Sequence, residues 1–112
     1  MTREFIYVPH FDKKWEGVGL NDDEKVLLED YIMENPDAAP VIEGTGGLRK
    51  LRWALPGRGK SGSIRVLYVD FVKHEKIYMV DLFAKNEKDN LSQGEKNKVK
   101  QVIHLLEKEC EK

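Results

Sequence analysis

The sequence predicts an α+β domain, in which a small antiparallel sheet forms in the chain order β-α-β-β-β-α and the helices pack on one face. Three observations support this prediction. Three consecutive segments in the second half of the chain are rich in β-branched and aromatic residues. Helix-start patterns stand before and after these segments, and each one precedes apolar residues at helical spacing. The length of 112 residues suits one domain over 1–112.

The chain begins with a predicted strand. Residues Glu4 to Val8 include aromatic and β-branched side chains. Pro9 follows and has no backbone N–H to donate, so the strand should end there. The sequence leaves open whether Asp12 to Gly17 form a further helical turn, because Gly17 and Gly19 interrupt it.

A helix is predicted after this first strand. Asn21 is a good N-cap residue, and Glu24 stands at the third helical position, as in a capping box. Apolar residues then recur at helical spacing. The helix should end before Asn35-Pro36, because the residue before a proline disfavours helical geometry.

Three strands should follow as an antiparallel meander. They are predicted over Gly47 to Ala54, Ser63 to Val72 and Lys76 to Lys85. The short connection Lys73 to Glu75 predicts a hairpin between the last two.

The C-terminal segment predicts an amphipathic helix. Ser92 to Glu95 is an S-x-x-E capping box. Five apolar residues then share one helical face: Val99, Val102, Ile103, Leu106 and Cys110.

Composition excludes several classes of protein. No apolar run approaches the ~20 residues of a membrane span, and no secretory signal pattern is present, so we expect no membrane partner and a cytoplasmic location. Cys110 is the single cysteine, which excludes an internal disulfide and offers no metal-ligand spacing. The three histidines are not spaced for a metal site or a catalytic pair. We therefore expect neither a metal nor a cofactor.

Charge is distributed unevenly, although the net charge is only −1. No acidic residue lies between Glu43 and Asp70. That interval contains six cations, namely Arg49, Lys50, Arg52, Arg58, Lys60 and Arg65. The molecule should therefore have a basic side and an acidic side.

The stretch Ala54 to Ser61, ALPGRGKS, differs by one residue from the phosphate-binding pattern G-x-x-x-x-G-K-[ST]. In that pattern the backbone amides lie at the N-terminus of the following helix. A strand is predicted after ALPGRGKS instead, so we expect a flexible loop and not a nucleotide site.

Basic residues from three predicted strands should meet on one surface. Lys50, Arg52, Arg65 and Lys85 belong to these strands, and the loop adds further cations at the rim. A polyanion is the expected ligand. Taken one at a time, each cation is also consistent with an ordinary solvated side chain. Arg65 lies in a central strand, where a guanidinium is either paired internally or faces a cleft.

Four motifs resemble the RelE superfamily of bacterial toxins, most closely its HigB-like branch. They are G-T-G-G-L-R-K at 44–50, G-x-G-K at 57–60, G-S-x-R at 62–65 and A-K-N-E at 84–87. The resemblance covers about 41–107. It implies a RelE-like fold and the toxin of a type II toxin–antitoxin module: a ribosome-dependent endoribonuclease that cuts mRNA in the ribosomal A site and is neutralised by a co-encoded antitoxin.

The resemblance also implies site residues and a mechanism. A ribose 2′-hydroxyl attacks the adjacent phosphate without a metal, while Lys and Arg stabilise the phosphate. The matching catalytic positions are Arg65, Lys50, Arg52, Lys85 and, as a proton acceptor, Glu87. RNA or ribosome contacts are expected from Arg49, Arg58, Lys60 and Asn86. Asn86 stands where RelE has an arginine, and Ser92 is the residue nearest to a RelE tyrosine.

Two non-enzymatic alternatives remain open. The same fold also serves ParE-like inhibitors, which poison DNA gyrase, and nucleic-acid-binding modules. A corepressor that contacts operator DNA through its antitoxin is the other alternative, although this sequence has no evident helix-turn-helix. The antitoxin itself is expected either to cover the basic surface with acidic residues or to displace the terminal helix.

Overall fold

A computed structural model describes residues 3–54, 63–84 and 90–111. In these ranges the chain forms four strands and three α-helices, and the 3-10 turn Val72–His74 joins two of the strands. The strands are β1 (Glu4–Tyr7), β2 (Leu48–Ala54), β3 (Ser63–Phe71) and β4 (Lys76–Ala84). The helices are α1 (Pro9–Gly17), α2 (Asp22–Glu34) and α3 (Gln93–Cys110).

The four strands form one mixed sheet in the order β1-β4-β3-β2. The predicted meander is confirmed, because β2 pairs with β3 and β3 with β4, both antiparallel. The first strand pairs parallel to β4, with Glu4 beside Lys76 and Tyr7 beside Met79. The α+β class is therefore confirmed, and one parallel pair at the edge makes the sheet mixed.

Helix α1 is the element that the sequence left open. Pro9 stands in its first turn, where a proline loses no helical hydrogen bond. Phe11 and Trp15, four residues apart, are fully buried beside one another, with ring centroids 5.9 Å apart. Burial of these two rings stabilises a helix that ends at Gly17.

The two predicted capping boxes are both present. Asn21 accepts a hydrogen bond from the Glu24 backbone N–H at 2.9 Å, and Glu24 accepts one from the Asn21 N–H at 3.1 Å. Ser92 and Glu95 make the same reciprocal pair at the start of α3. Local side-chain chemistry therefore sets the starts of both helices.

The predicted placement of all helices on one face is wrong, because helices cover both faces of the sheet. Helices α1 and α2 bury Phe11, Trp15, Leu28 and Ile32 against one face. Helix α3 packs Ile103 against the other. The physical reason lies in β3, where every residue except Asp70 is buried, so both faces carry apolar side chains that must leave water.

None of the helices in the three described ranges combines the length and the apolar character needed to cross a membrane.

Candidate nucleic-acid interface

Three of the predicted basic residues lie together at one end of the α3 face of the sheet. The β2–β3 register places Arg52 opposite Arg65, and Lys50 opposite Leu67. Side chains alternate along a strand, and directly opposite residues point to the same face with Cβ atoms about 4.5–5.5 Å apart. Leu67 belongs to the apolar cluster under α3, so the three cations lie on the α3 side.

These cations border a surface hollow of about 390 Å³, whose other wall is the segment 38–40. Arg65 is only 7% exposed, Lys50 is half-buried and Arg52 is exposed. Packing around Arg65 limits the movement of its side chain, and the two outer cations keep contact with water. The hollow is therefore a preorganised place for an anionic group.

Arg52 and Arg65 are like charges on directly opposite positions. Such a cross-strand pair is destabilising, and less so where water and salt screen it. An anion placed between the two guanidinium groups removes this repulsion and gains charge-assisted hydrogen bonds.

Arg49 lies on the opposite side of β2 from these three cations. Its Nη1 donates hydrogen bonds to the carbonyl oxygens of Ala39 at 2.6 Å and Asp37 at 3.3 Å. On the same face, the Tyr68 hydroxyl donates to the Pro36 carbonyl at 3.0 Å, and burial raises the pKa of Tyr68 to about 12. These contacts hold the segment 36–40 against the sheet, so Arg49 shapes one wall of the hollow from behind.

The G-T-G-G motif explains why β2 begins where it does. Thr45 is fully buried, and its hydroxyl donates to the Ile42 carbonyl at 2.6 Å and accepts from the Leu48 N–H at 3.1 Å. Gly46 and Gly47 adopt φ values of 80° and 118°, a backbone conformation that residues with a side chain rarely adopt. This tight loop sets the register of β2 and, through it, the positions of the basic residues.

A smaller cavity of about 110 Å³ adjoins the hollow near the start of α3. Lys50 and Lys96 line it, together with the apolar side chains of Ile42, Phe83 and Leu91. Lys96 is a residue that sequence reasoning missed. The sequence feature that could have identified Lys96 is its helical spacing, because positions 96, 99 and 103 share the inner face of α3.

Five predicted site residues lie outside the described ranges: Arg58, Lys60, Lys85, Asn86 and Glu87. Their roles stay predictions. The aromatic residues of the strands belong to the cores, since Tyr68 and Phe83 are 1% and 4% exposed and Trp53 packs beside Tyr31 on the α2 side. Base stacking on Tyr68 or Phe83 would require the core to open.

The strand predicted after ALPGRGKS is confirmed. The described chain resumes at Ser63 as β3. The first element described after the glycine-rich stretch is therefore a strand, whereas a phosphate-binding loop that seats a triphosphate leads into a helix N-terminus. Among the described residues, no group of three or more His, Cys, Asp or Glu is placed to hold a metal ion.

Comparison with known protein families places this chain in one class, the toxins of toxin–antitoxin systems. The model of the family described as RelE toxin of the RelE/RelB toxin–antitoxin system matches residues 6–112. The chain therefore belongs to the RelE toxin family, and its family partner is a cognate antitoxin.

A solved structure supports the fold independently. A double arginine-to-alanine mutant of the E. coli toxin RelE, in the free state, matches with a TM-score of 0.58 and 14% sequence identity. The match covers 79% of this chain and 88% of that chain. Similarity at this level of identity concerns the fold alone.

Proposed function

We propose that this toxin is a ribosome-dependent endoribonuclease of the cytoplasm that cleaves translated mRNA. Family membership supports the proposal. The observation that carries it is the pairing of Arg52 with Arg65 beside Lys50, on a surface suited to a phosphate. Assignment to the HigB-like branch remains a prediction.

In the proposed reaction, the ribose 2′-hydroxyl loses its proton and its oxygen bonds to the adjacent phosphorus. The bond to the 5′-oxygen of the next nucleotide breaks, which leaves a 2′,3′-cyclic phosphate and a 5′-hydroxyl that has taken up one proton. Negative charge builds on the phosphate in the transition state. Arg65, held by its burial, stabilises that charge, and Arg52 and Lys50 add to it from β2. Arginine stays protonated in proteins, so these guanidinium groups stabilise charge without transferring protons.

Proton transfer requires other groups in this mechanism. We assign the proton acceptor role to Glu87 and a further stabilising role to Lys85, both by resemblance to the family. Arg58, Lys60 and Asn86 are proposed to contact RNA or the ribosome. All five residues lie beyond the described ranges.

Dependence on the ribosome is proposed from the resemblance to the family, and the charge distribution agrees with it. Affinity for free RNA grows with the number of phosphates that cations neutralise. A net charge of −1 and a small basic surface predict weak binding to free RNA. In the proposal the ribosome supplies the missing affinity by presenting mRNA in the A site.

The test is induction of the protein in growing cells, followed by mapping of mRNA 5′ ends. Wild type should arrest translation and cut translated messages. Arg65→Ala should abolish cleavage. Arg65→Lys should retain part of the cleavage, because lysine keeps the positive charge but lacks the planar guanidinium that binds phosphate through two N–H groups. Lys73→Ala, at an exposed position in the turn at the other end of β3, is the matched control and should cleave like wild type.

Growth arrest with intact mRNA would contradict the proposal. If that arrest came with DNA breaks trapped on gyrase, the ParE-like alternative would replace it.

A further inference from the structure

The exposed side of α2 carries apolar and acidic side chains in parallel rows. Leu27 is 52% exposed and Tyr31 38% exposed, and the Tyr31 ring lies 5.5 Å from the half-buried Trp53 ring of β2. Helical spacing places an acidic row beside them. We call this combined area the α2 surface, comprising Leu27, Tyr31, Trp53, Asp23, Asp30 and Glu34.

Within the described ranges, no salt bridge compensates the acidic row. None of the salt bridges found among the described residues includes Asp23, Asp30 or Glu34. Lys25, the one cation of α2, is engaged with Asp12 at 2.6 Å. Solvent-exposed aromatic and aliphatic side chains beside uncompensated carboxylates fit a partner that is apolar and positively charged.

We propose that the α2 surface is a docking site for the cognate antitoxin, through an amphipathic segment that carries Lys or Arg beside apolar side chains. Nucleic acid does not fit this surface, because the acidic row repels phosphates. Family membership provides the partner, and the proposal does not depend on mRNA cleavage.

Docking there has a mechanical consequence. Helix α2 covers one face of the sheet, and Lys50, Arg52 and Arg65 lie on the other. A segment bound to α2 leaves the basic residues uncovered. It anchors the antitoxin and raises the local concentration of whichever second segment neutralises the basic face.

The test measures binding of the purified full-length antitoxin to the full-length toxin by calorimetry, at low and high salt. Leu27→Ser/Tyr31→Ser should weaken binding about tenfold or more, as expected for central apolar contacts. Asp30→Lys/Glu34→Lys should weaken it at low salt and reduce its salt dependence. Val72→Ser removes an exposed apolar side chain from the turn between β3 and β4, away from both α2 and α3, and is the control; it should bind like wild type.

Two results would overturn the proposal. One is wild-type affinity in both α2 variants, each with an unchanged unfolding transition. The other is an α2 variant that abolishes self-association of the toxin in sedimentation and leaves antitoxin affinity intact, which would make this surface a contact between copies. Cleavage is not the readout, so failure of the endoribonuclease proposal leaves this test valid.

Discussion

Arg52 of β2 and Arg65 of β3 are cross-strand partners, and Arg52 is exposed whereas Arg65 is buried, with 7% of the residue exposed. This pair places two positive charges where a strand pair prefers opposite or neutral side chains. In the proposed function, a bound phosphate would remove this repulsion.

Arg52→Ala should therefore make the free protein more stable. We expect the free energy of unfolding to rise by a few tenths of a kcal/mol, and more at low salt than at high salt, since Arg52 is exposed and screened. Urea unfolding at two salt concentrations measures this change. Lys73→Ala serves as the control for loss of one exposed cation, and a less stable Arg52→Ala protein would count against the repulsion.

Lys96 should contribute to RNA binding, because it lines the cavity beside Lys50. Lys96→Ala should weaken binding to a single-stranded RNA and reduce the slope of log affinity against log salt by about 0.7, the value of one phosphate contact. Fluorescence anisotropy across a salt series measures both. Lys98→Ala, on the exposed side of α3, is the matched control; an equal effect at Lys98 would show that only net charge matters.

Thr45 should be a stability residue whose loss disturbs the site. Thr45→Val keeps the shape of the side chain but removes the hydroxyl between the Ile42 carbonyl and the Leu48 N–H. We expect a loss of about 1–3 kcal/mol in the free energy of unfolding, as for buried groups left without partners. Thermal and urea unfolding measure the loss. Thr45→Ser retains the hydroxyl and should lose less; equal losses in both variants would assign the effect to packing.

Alkaline pH should destabilise the protein through its buried tyrosines. Burial raises the pKa of Tyr68 and of Tyr78 to about 12 from the ordinary value of 10, and it also raises the pKa of Tyr7, which donates a hydrogen bond to Glu29. A folded-state pKa above the unfolded value gives stability that is complete below pH 10 and is lost as pH rises toward 12.

The difference in the free energy of unfolding between wild type and Tyr68→Phe separates the titration of Tyr68 from the titration of lysines, which both proteins share. Tyr68→Phe should be less stable than wild type at pH 8, because the hydrogen bond to the Pro36 carbonyl is lost. This difference in the free energy of unfolding should become smaller between pH 10 and 12, since only wild type has a phenol to deprotonate at this site. Urea unfolding at several pH values measures the difference, and a difference that stays constant contradicts the assigned cause.

Much of the fold was predictable because its signals are local. Asn21 and Ser92 start helices through contacts within four residues, and Pro36 limits the end of α2. The strand boundaries followed from residue type and from turns. Helix α1 was harder to predict, because it is stabilised by burial of two aromatic rings in the core, and that burial depends on the tertiary structure.

The sequence predicted the composition of the candidate site and the meeting of basic residues on one surface, but not the strand register that selects which of them meet. An interval without acids identified the basic segment, and Lys50, Arg52 and Arg65 were all within it. Their convergence depends on the strand register, which separates Arg49 from Arg52 onto opposite faces. Lys96 comes from a distant helix, so its approach to Lys50 was not readable from the chain order.

The sequence by itself thus determined every described strand and helix except α1, the α+β class and the basic character of one segment, because capping, turn chemistry and side-chain type act over a few residues. Only the tertiary structure decided that α3 covers the opposite face from α1 and α2, and that Arg52 lies beside Arg65. The reason is physical: β3 is apolar on both faces, and the cover for each face comes from residues far away in the chain, which meet only when the sheet closes its core.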